Sequence, residues 1–171
     1  MAKLIVDGKI CNDDWQVVPA DATELPDGRL IVSLAMWRDG DERLAGRDQV
    51  GVWLEADDDP AEIALALPSL PVVAVNFPKF ADGRGYSTAA LLRTRYGYRG
   101  QLRAIGEVLR DQFFYLERCG FDALQPPEGR YSDTQLEAAL ASLADFSEPY
   151  QAAVTPPQPV WRRHVREGLA R

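Results

Sequence analysis

Residues 77–87 bring together the side-chain types that bind anions and transfer protons. Their polar and glycine positions are Lys79, Asp82, Gly83, Arg84, Gly85, Tyr86 and Ser87. The glycines let the backbone approach a ligand, and Arg84 can hold a carboxylate or phosphate with two parallel hydrogen bonds. If a helix begins at Ser87, its free N–H groups add partial positive charge. The stretch therefore predicts a pocket for an anion.

Further polar side chains are predicted to line this pocket: the ligand-binding candidates Arg93, Arg103 and Gln112, and the acids Glu107 and Asp111. Under an enzymatic interpretation Asp82, Asp111 or Glu107 acts as a general acid or base, held in place by the arginines. Asp111 serves equally well as a helix cap. The simpler alternative for the whole loop is a glycine-rich turn in which Arg84 pairs internally with Asp82 or Asp111.

Familiar metal and redox motifs are missing from the sequence. A single histidine, His164, leaves no Ser-His-Asp triad and no multi-histidine metal site, and two cysteines are too few for an iron–sulfur cluster. Residues 83–85 approach a dinucleotide fingerprint, but Thr88 stands at its third glycine position. The acids at 55–59 can bind a divalent cation, although favouring a helix start is their simpler role. No metal site is predicted, and any cofactor is left unknown.

The distribution of charge points to an anionic ligand or an acidic partner. The net charge of −7 argues against binding to nucleic acid, which requires the neutralisation of phosphates. Between Lys79 and Arg118, however, the sequence has eight cationic and four anionic side chains, so this segment carries a net charge of +4. Such a segment indicates a site for anions. The simpler interpretation of the charge is that the arginines lie on solvated helix faces.

The elements that position these residues follow from hydrophobic patterning. Apolar runs predict strands at 30–37, 50–54, 72–75, 102–105 and 121–124, and helical signals lie at 62–67, 87–95, 111–118 and 132–143. This alternation predicts an α/β fold with a mainly parallel sheet of about five βα units. Residues 4–11 predict a small N-terminal hairpin around Asp7-Gly8, and 15–18 a further short strand. The sheet is either open and three-layered or a partial barrel.

The chain length and its two ends set the expected organisation. Residues 1–150 are predicted to form a single α/β domain, and 151–171 a proline-rich linker with a basic C-terminal tail. The tail can also serve as a contact in a homo-oligomer. Neither a signal peptide nor an apolar run long enough to span a membrane is evident. With two isolated cysteines, the protein is expected in the cytoplasm and away from membranes.

Several short segments in the middle of the chain resemble one bacterial family. They are Phe77–Phe80, Asp82–Ser87, Leu91–Arg95, Leu102–Ala104, Asp111-Gln112 and Cys119–Asp122. On these segments the sequence resembles the domain-of-unknown-function 934 family, described as oxidoreductases involved in sulfite reduction. That description derives from the association of the family with sulfite reductase genes. Gln101 departs from the pattern, because an acid is expected before Leu102.

The resemblance implies a role in assimilatory sulfite reduction. Reduction of sulfite needs iron–sulfur, haem and flavin or ferredoxin chemistry, and the residues above supply no cluster ligands or clear dinucleotide motif. We therefore expect an accessory protein that binds a small anion or an acidic partner at residues 77–87. Sulfite reductase or its electron donor is the partner that the resemblance implies. The alternatives are a small enzyme that acts on an anionic substrate and a cofactor-binding oxidoreductase.

Overall fold

The computed structural model describes residues 3–145 and 149–163. Eight strands are present: β1 (Lys3–Val6), β2 (Lys9–Asn12), β3 (Trp15–Val17), β4 (Arg29–Ser33), β5 (Val50–Leu54), β6 (Val72–Phe77), β7 (Gln101–Gly106) and β8 (Ala123–Leu124). The helices are α1 (Leu34–Arg38), α2 (Arg84–Thr94), α3 (Phe113–Cys119), α4 (Asp133–Ala141) and α5 (Val160–Arg163). Short 3-10 turns occupy Glu42–Leu44, Pro60–Ile63, Leu67–Ser69, Arg110–Gln112 and Ser142–Asp145.

All eight strands belong to one mixed sheet with the order β2-β1-β8-β7-β6-β5-β4-β3. From β3 to β8 each strand lies parallel to the next one in sequence, while the hairpin β1–β2 joins the edge of β8 antiparallel. The predicted α/β class and mainly parallel sheet are confirmed. The expectation of about five βα units is corrected, because the hairpin and the third short strand extend the same sheet to eight strands.

The sheet curls into a partial barrel. Strands β2 and β3 lie at opposite edges, yet only Asp13 and Asp14 connect them. Two linking residues span at most about 11 Å between the flanking Cα atoms, whereas a flat sheet would separate the edge strands by about 34 Å. The two edges must therefore approach each other. Of the two predicted arrangements, the partial barrel is the one observed.

The curled sheet has an outer face covered by helices and an inner face filled by its own side chains. On the outer face, residues of β5, β6 and β7 share one core with Leu92 of α2, Phe113 and Leu116 of α3 and Leu136 of α4. On the inner face, Ile31, Trp53, Val72, Ala74 and Ile105 form a second cluster to which no helix contributes. Because side chains alternate between the faces of a strand, buried runs such as 72–75 serve both cores.

Local signals explain several elements and correct two predictions. The hairpin turns at Asp7 and Gly8, both with positive φ, as an Asp-Gly turn requires. The predicted strand at 30–37 ends at Ser33, whose hydroxyl accepts a hydrogen bond from Met36 N at 3.2 Å and starts α1. The helix predicted at 62–67 is not formed: 3-10 turns lie at Pro60–Ile63 and Leu67–Ser69, and Pro68 disfavours helical backbone at the residue before it.

A buried ion pair lies inside the partial barrel. Arg103 of β7 is fully buried, and its Nη1 lies 2.7 Å from Oδ2 of Asp13 in the connection between β2 and β3. Gln101 and Gln125 accept the remaining hydrogen bonds of the guanidinium at 2.9–3.2 Å. Burial lowers the pKa of Arg103, and the Asp13 carboxylate opposes that shift. The pair ties the meeting point of the sheet edges to a central strand.

The C-terminal segment packs against the end of α3. Thr155 N donates to Arg118 O at 3.1 Å, and Arg118 Nη2 donates to Gln151 O at 2.8 Å. Residues 164–171 of the predicted basic tail, His164 included, lie outside the described residues. In the part of the chain that the structure covers, no helix is long and apolar enough to cross a membrane. The domain boundary at 150, the homo-oligomer and the cytoplasmic location stay predictions.

Replacing Arg103 with Met should destabilise the protein by about 3–5 kcal/mol, because Asp13 would stay buried without a counter-charge. Urea unfolding measures this change in free energy. The control Arg29→Met removes an exposed pair with Asp14 and should cost at most about 1 kcal/mol. Combining Arg103→Met with Asp13→Asn, which removes the charge and keeps an oxygen acceptor for Trp15 N, should recover much of the loss, and a double variant as unstable as the single one would contradict this account.

Candidate functional site

The loops that follow β5, β6 and β7 meet at the carboxyl edge of the sheet. Asn76 Nδ2 donates to Glu55 Oε2 at 2.9 Å, which joins the ends of β5 and β6. Glu107 N donates to Phe77 O at 2.8 Å and joins the loops after β6 and β7. Parallel strands place their carboxyl ends together, and ligands gather at such edges. The structure thus brings together the 77–87 loop, the segment 107–112 and the acids at 55–59.

Arg84 is engaged by two carboxylates within the protein. Its Nε and Nη2 donate to the two oxygens of Asp82 at 3.0 and 2.7 Å, and its Nη1 contacts Asp57. Although the Arg84 side chain is about half exposed, its bidentate fork already holds a carboxylate. This arrangement matches the internal pairing with Asp82 that the sequence left open, and an added anion would have to displace Asp82.

Helix α2 begins earlier than predicted, and this changes the roles of its first residues. Gly83 is the N-cap, and Asp82 Oδ1 accepts from Arg84 N at 3.2 Å. Ser87 lies inside the helix and exposed, so its predicted capping role is wrong. Gly85 is buried, and a Cβ there would lie 2.8 Å from Cζ of Phe77. Gly85 therefore allows α2 to pack closely on β6 and presents no open backbone to a ligand.

Arg93 and Arg103 are both enclosed in the fold. Arg93 Nη2 lies 2.6 Å from Oδ2 of Asp122, and its other nitrogens donate to backbone carbonyls of Tyr98, Gly100 and Gly120. Burial raises the pKa of Asp122, and the Arg93 guanidinium opposes that shift. Arg93 therefore links the end of α2 to the turns beside β7 and β8. Arg103 lies inside the barrel, away from the 77–87 loop.

Tyr86 and Gln112 do meet at the predicted site. Gln112 Nε2 donates to the Tyr86 hydroxyl at 3.1 Å and lies 3.4 Å from Phe80 O. Burial raises the pKa of Tyr86, and the hydrogen bond from Gln112 counteracts that effect. The Tyr86 ring packs 4.8 Å from the ring of Tyr115. We call Phe80, Tyr86 and Tyr115 the aromatic patch; Phe80 and Tyr115 are 52% and 48% exposed.

Two cations flank the aromatic patch without a carboxylate partner among the described residues. Lys79 is exposed beside Phe80 and forms no salt bridge there. Arg118 lies 5.9 Å from the ring centroid of Tyr115, and its Nη2 is bound by the Gln151 carbonyl. Sequence reasoning missed Tyr115 and Arg118. The i, i+3 spacing of Phe113 and Leu116 was the available signal, because it predicts a buried helical face that turns Tyr115 outward.

The predicted acids at this edge have separate environments. Asp82 is bound to Arg84, whereas Glu107 and Asp111 are exposed. In the loop after β5, Asp58 Oδ2 accepts from Glu55 N, and Asp59 caps the 3-10 turn at Pro60. Among residues 3–145 and 149–163, no three acidic, histidine or cysteine side chains are arranged to hold a metal ion. The acids at 57–59 therefore serve pairing and capping.

Comparison with known proteins identifies the family. A family described as a bacterial protein of unknown function, DUF934, matches residues 51–161. The chain belongs to the DUF934 family. The matched region runs from β5 to α5, and it includes the 77–87 loop and the aromatic patch but leaves out the hairpin, β3 and β4. No curated protein and no solved structure matches this DUF934 member.

Replacing Gly85 with Ala should destabilise the protein by about 1–3 kcal/mol, because the new methyl group would overlap the buried Phe77 ring. Thermal or urea unfolding measures the change. Gly83→Ala is the matched control, since no atom lies within 4 Å of a Cβ at that position, and it should cost less than about 1 kcal/mol. Equal losses at both positions would show that the close contact with β6 is not the cause.

Proposed function

We propose that this DUF934 member is an accessory protein of assimilatory sulfite reduction that docks an acidic partner protein at the 77–87 loop. The aromatic patch, with Lys79 and Arg118 beside it, is the observation that carries the proposal. Sulfite reductase or its electron donor is the proposed partner, and that choice rests on the family resemblance.

The chemistry of the patch favours a protein partner over a small anion. Tyrosine, phenylalanine and arginine are enriched at protein interfaces, where half-exposed aromatic rings act as anchors. Phe80 and Tyr115 offer such rings, and the hydrogen bond between Gln112 and Tyr86 holds the surface between them in place. Arg84, in contrast, is already bound by Asp82 and Asp57. The loop therefore presents a contact surface more readily than an oxyanion pocket.

Charge complementarity supports an acidic partner. Lys79 and Arg118 have no salt bridge in the described part of the chain, so their charge is available to attract a negative surface. Asp111 is exposed next to Gln112 and opposes that attraction. An acidic partner should therefore respond in opposite directions to the removal of Lys79 and of Asp111.

The residues support an accessory role over catalysis of the reduction itself. Cys11 is exposed and Cys119 is buried, and two cysteines cannot supply the four ligands of an iron–sulfur cluster. For the acid–base alternative, Asp82 is committed to Arg84, and Glu107 and Asp111 are open to solvent. Catalytic acids and bases are usually found where burial and neighbouring charges tune their pKa. The exposed acids at this edge therefore give the acid–base alternative no support.

A pull-down from cells grown on sulfate as the sole sulfur source should recover sulfite reductase or its electron donor with the tagged protein. With the purified partner, Phe80→Ala and Lys79→Glu should each weaken binding about tenfold or more, and Asp111→Asn should strengthen it. Isothermal titration calorimetry at low and high salt measures the affinities.

Lys9→Glu is the matched control, because it reverses an exposed charge on the β1–β2 hairpin. It should leave the affinity unchanged. Equal affinity for the wild type, Phe80→Ala and Lys79→Glu would reject the aromatic patch as the contact surface. A partner that binds more tightly to Lys79→Glu would reject the acidic character of the partner.

A further inference from the structure

A concave surface lies at the opposite edge of the sheet from the 77–87 loop. It is a cleft of about 600 Å³ between the 3-10 turn Leu67–Ser69 and the turn that follows α2. Pro71 and Gly100 line it, directly before β6 and β7, so it lies at the amino ends of these strands. Its size falls within the usual range for small-molecule sites, about 300–1,000 Å³.

The wall of the cleft is apolar and its floor is fixed. Leu67, Pro68, Leu70 and Tyr96 provide apolar and aromatic surface. The Tyr98 hydroxyl donates at 3.0 Å to the Leu70 carbonyl, which ties the two sides of the cleft together. Burial raises the pKa of Tyr98 well above its ordinary value, so the hydroxyl stays protonated as a donor.

Glycine is required at position 100, where the floor meets β7. A Cβ at Gly100 would lie 2.3 Å from the Tyr98 hydroxyl oxygen, which leaves no room for any side chain. The close contact between Gly100 and Tyr98 therefore fixes the floor of the cleft, which is open in the structure. Preformed apolar concavities with a few polar groups are typical of ligand sites.

Uncompensated positive charge lies at the rim of this cleft. Arg95 and Arg99 are exposed, and neither forms a salt bridge with any described residue. The Arg95 guanidinium lies 5.7 Å from the ring centroid of Tyr96, which lines the cleft. No Asp or Glu is among the described lining residues. Arg84, Arg93 and Arg103, in contrast, are each paired with a carboxylate.

We infer that this cleft binds a small organic anion with an apolar or aromatic body. The Arg99 guanidinium suits a carboxylate, sulfonate or phosphate group, which it can hold with two parallel hydrogen bonds. Pro68, Leu70 and Tyr96 cover the apolar body of the ligand. The site lies apart from the aromatic patch and does not rest on the proposed docking function. Arg95 and Arg99 belong to the positively charged segment between Lys79 and Arg118. The inference therefore places an anion site of that segment at the cleft and not at the 77–87 loop.

Titration with 8-anilinonaphthalene-1-sulfonate, an aromatic sulfonate whose fluorescence rises on binding, tests the site on the full chain. Arg99→Gln should raise the dissociation constant about tenfold. Arg95→Gln should raise the constant less, because the contact with Tyr96 keeps the Arg95 guanidinium at the rim. Ser69→Trp, which places a large ring in the cleft from an exposed position, should abolish binding.

Three controls separate this site from other apolar surfaces. Arg130→Gln removes an exposed arginine outside the cleft lining and should have no effect, and Phe80→Ala, on the aromatic patch, should have none either. The neutral probe N-phenyl-1-naphthylamine should be excluded by Ser69→Trp but remain insensitive to Arg99→Gln. Circular dichroism of each variant shows that the fold is intact.

Two results would overturn the inference. One is that the folded Arg99→Gln and Ser69→Trp variants bind the sulfonate probe with unchanged affinity. This result counts whether or not Phe80→Ala lowers the affinity for the probe. The other is binding of an acidic peptide, such as an alternating Glu-Leu peptide, that Ser69→Trp abolishes and that the sulfonate probe does not displace. That second result would make the cleft a peptide groove and not a small-molecule site.

Discussion

The two-residue connection between the edge strands β2 and β3 is the constraint on which the curl of this sheet depends, and the ion pair between Arg103 and Asp13 fixes its position. Asp13 belongs to the two-residue connection between the edge strands β2 and β3, and Arg103 lies on the central strand β7. Buried ion pairs add little net stability, since desolvation offsets their attraction, but a missing partner is costly. The pair therefore contributes mainly by fixing position. It holds the connection between β2 and β3 against the inner face of the curled sheet.

The winding of the sheet then decides where chemistry can take place. Because β3 to β8 follow one another in both sequence and space, every loop after a parallel strand reaches the same carboxyl edge, and every loop before one reaches the amino edge. The first edge carries the Arg84–Asp82 pair and the aromatic patch, and the second carries the apolar cleft with Arg95 and Arg99. Two surfaces of different chemistry thus share one sheet.

The arginines show that a count of charges does not reveal which cations are free to meet a ligand or partner. Between Lys79 and Arg118 the sequence carries a net charge of +4, yet Arg93 and Arg103 are enclosed and paired. Their partners are 29 and 90 residues away, so no local pattern could reveal them. The contact between Tyr86 and Gln112 was within reach of sequence reasoning, because both residues follow neighbouring strands.

By itself, the sequence determined the elements whose signals are local. Asp7-Gly8 specifies the hairpin turn, the β-branched run at 72–75 a buried strand, and the Ser132 hydroxyl, bonded to Gln135 N, the start of α4. Only the tertiary structure decided the curl of the sheet, the enclosure of Arg103 and the place of the unpaired arginines. These three features depend on contacts between distant parts of the chain. The strength of such a contact depends on how deeply its residues are buried, and neither composition nor periodicity reveals that burial.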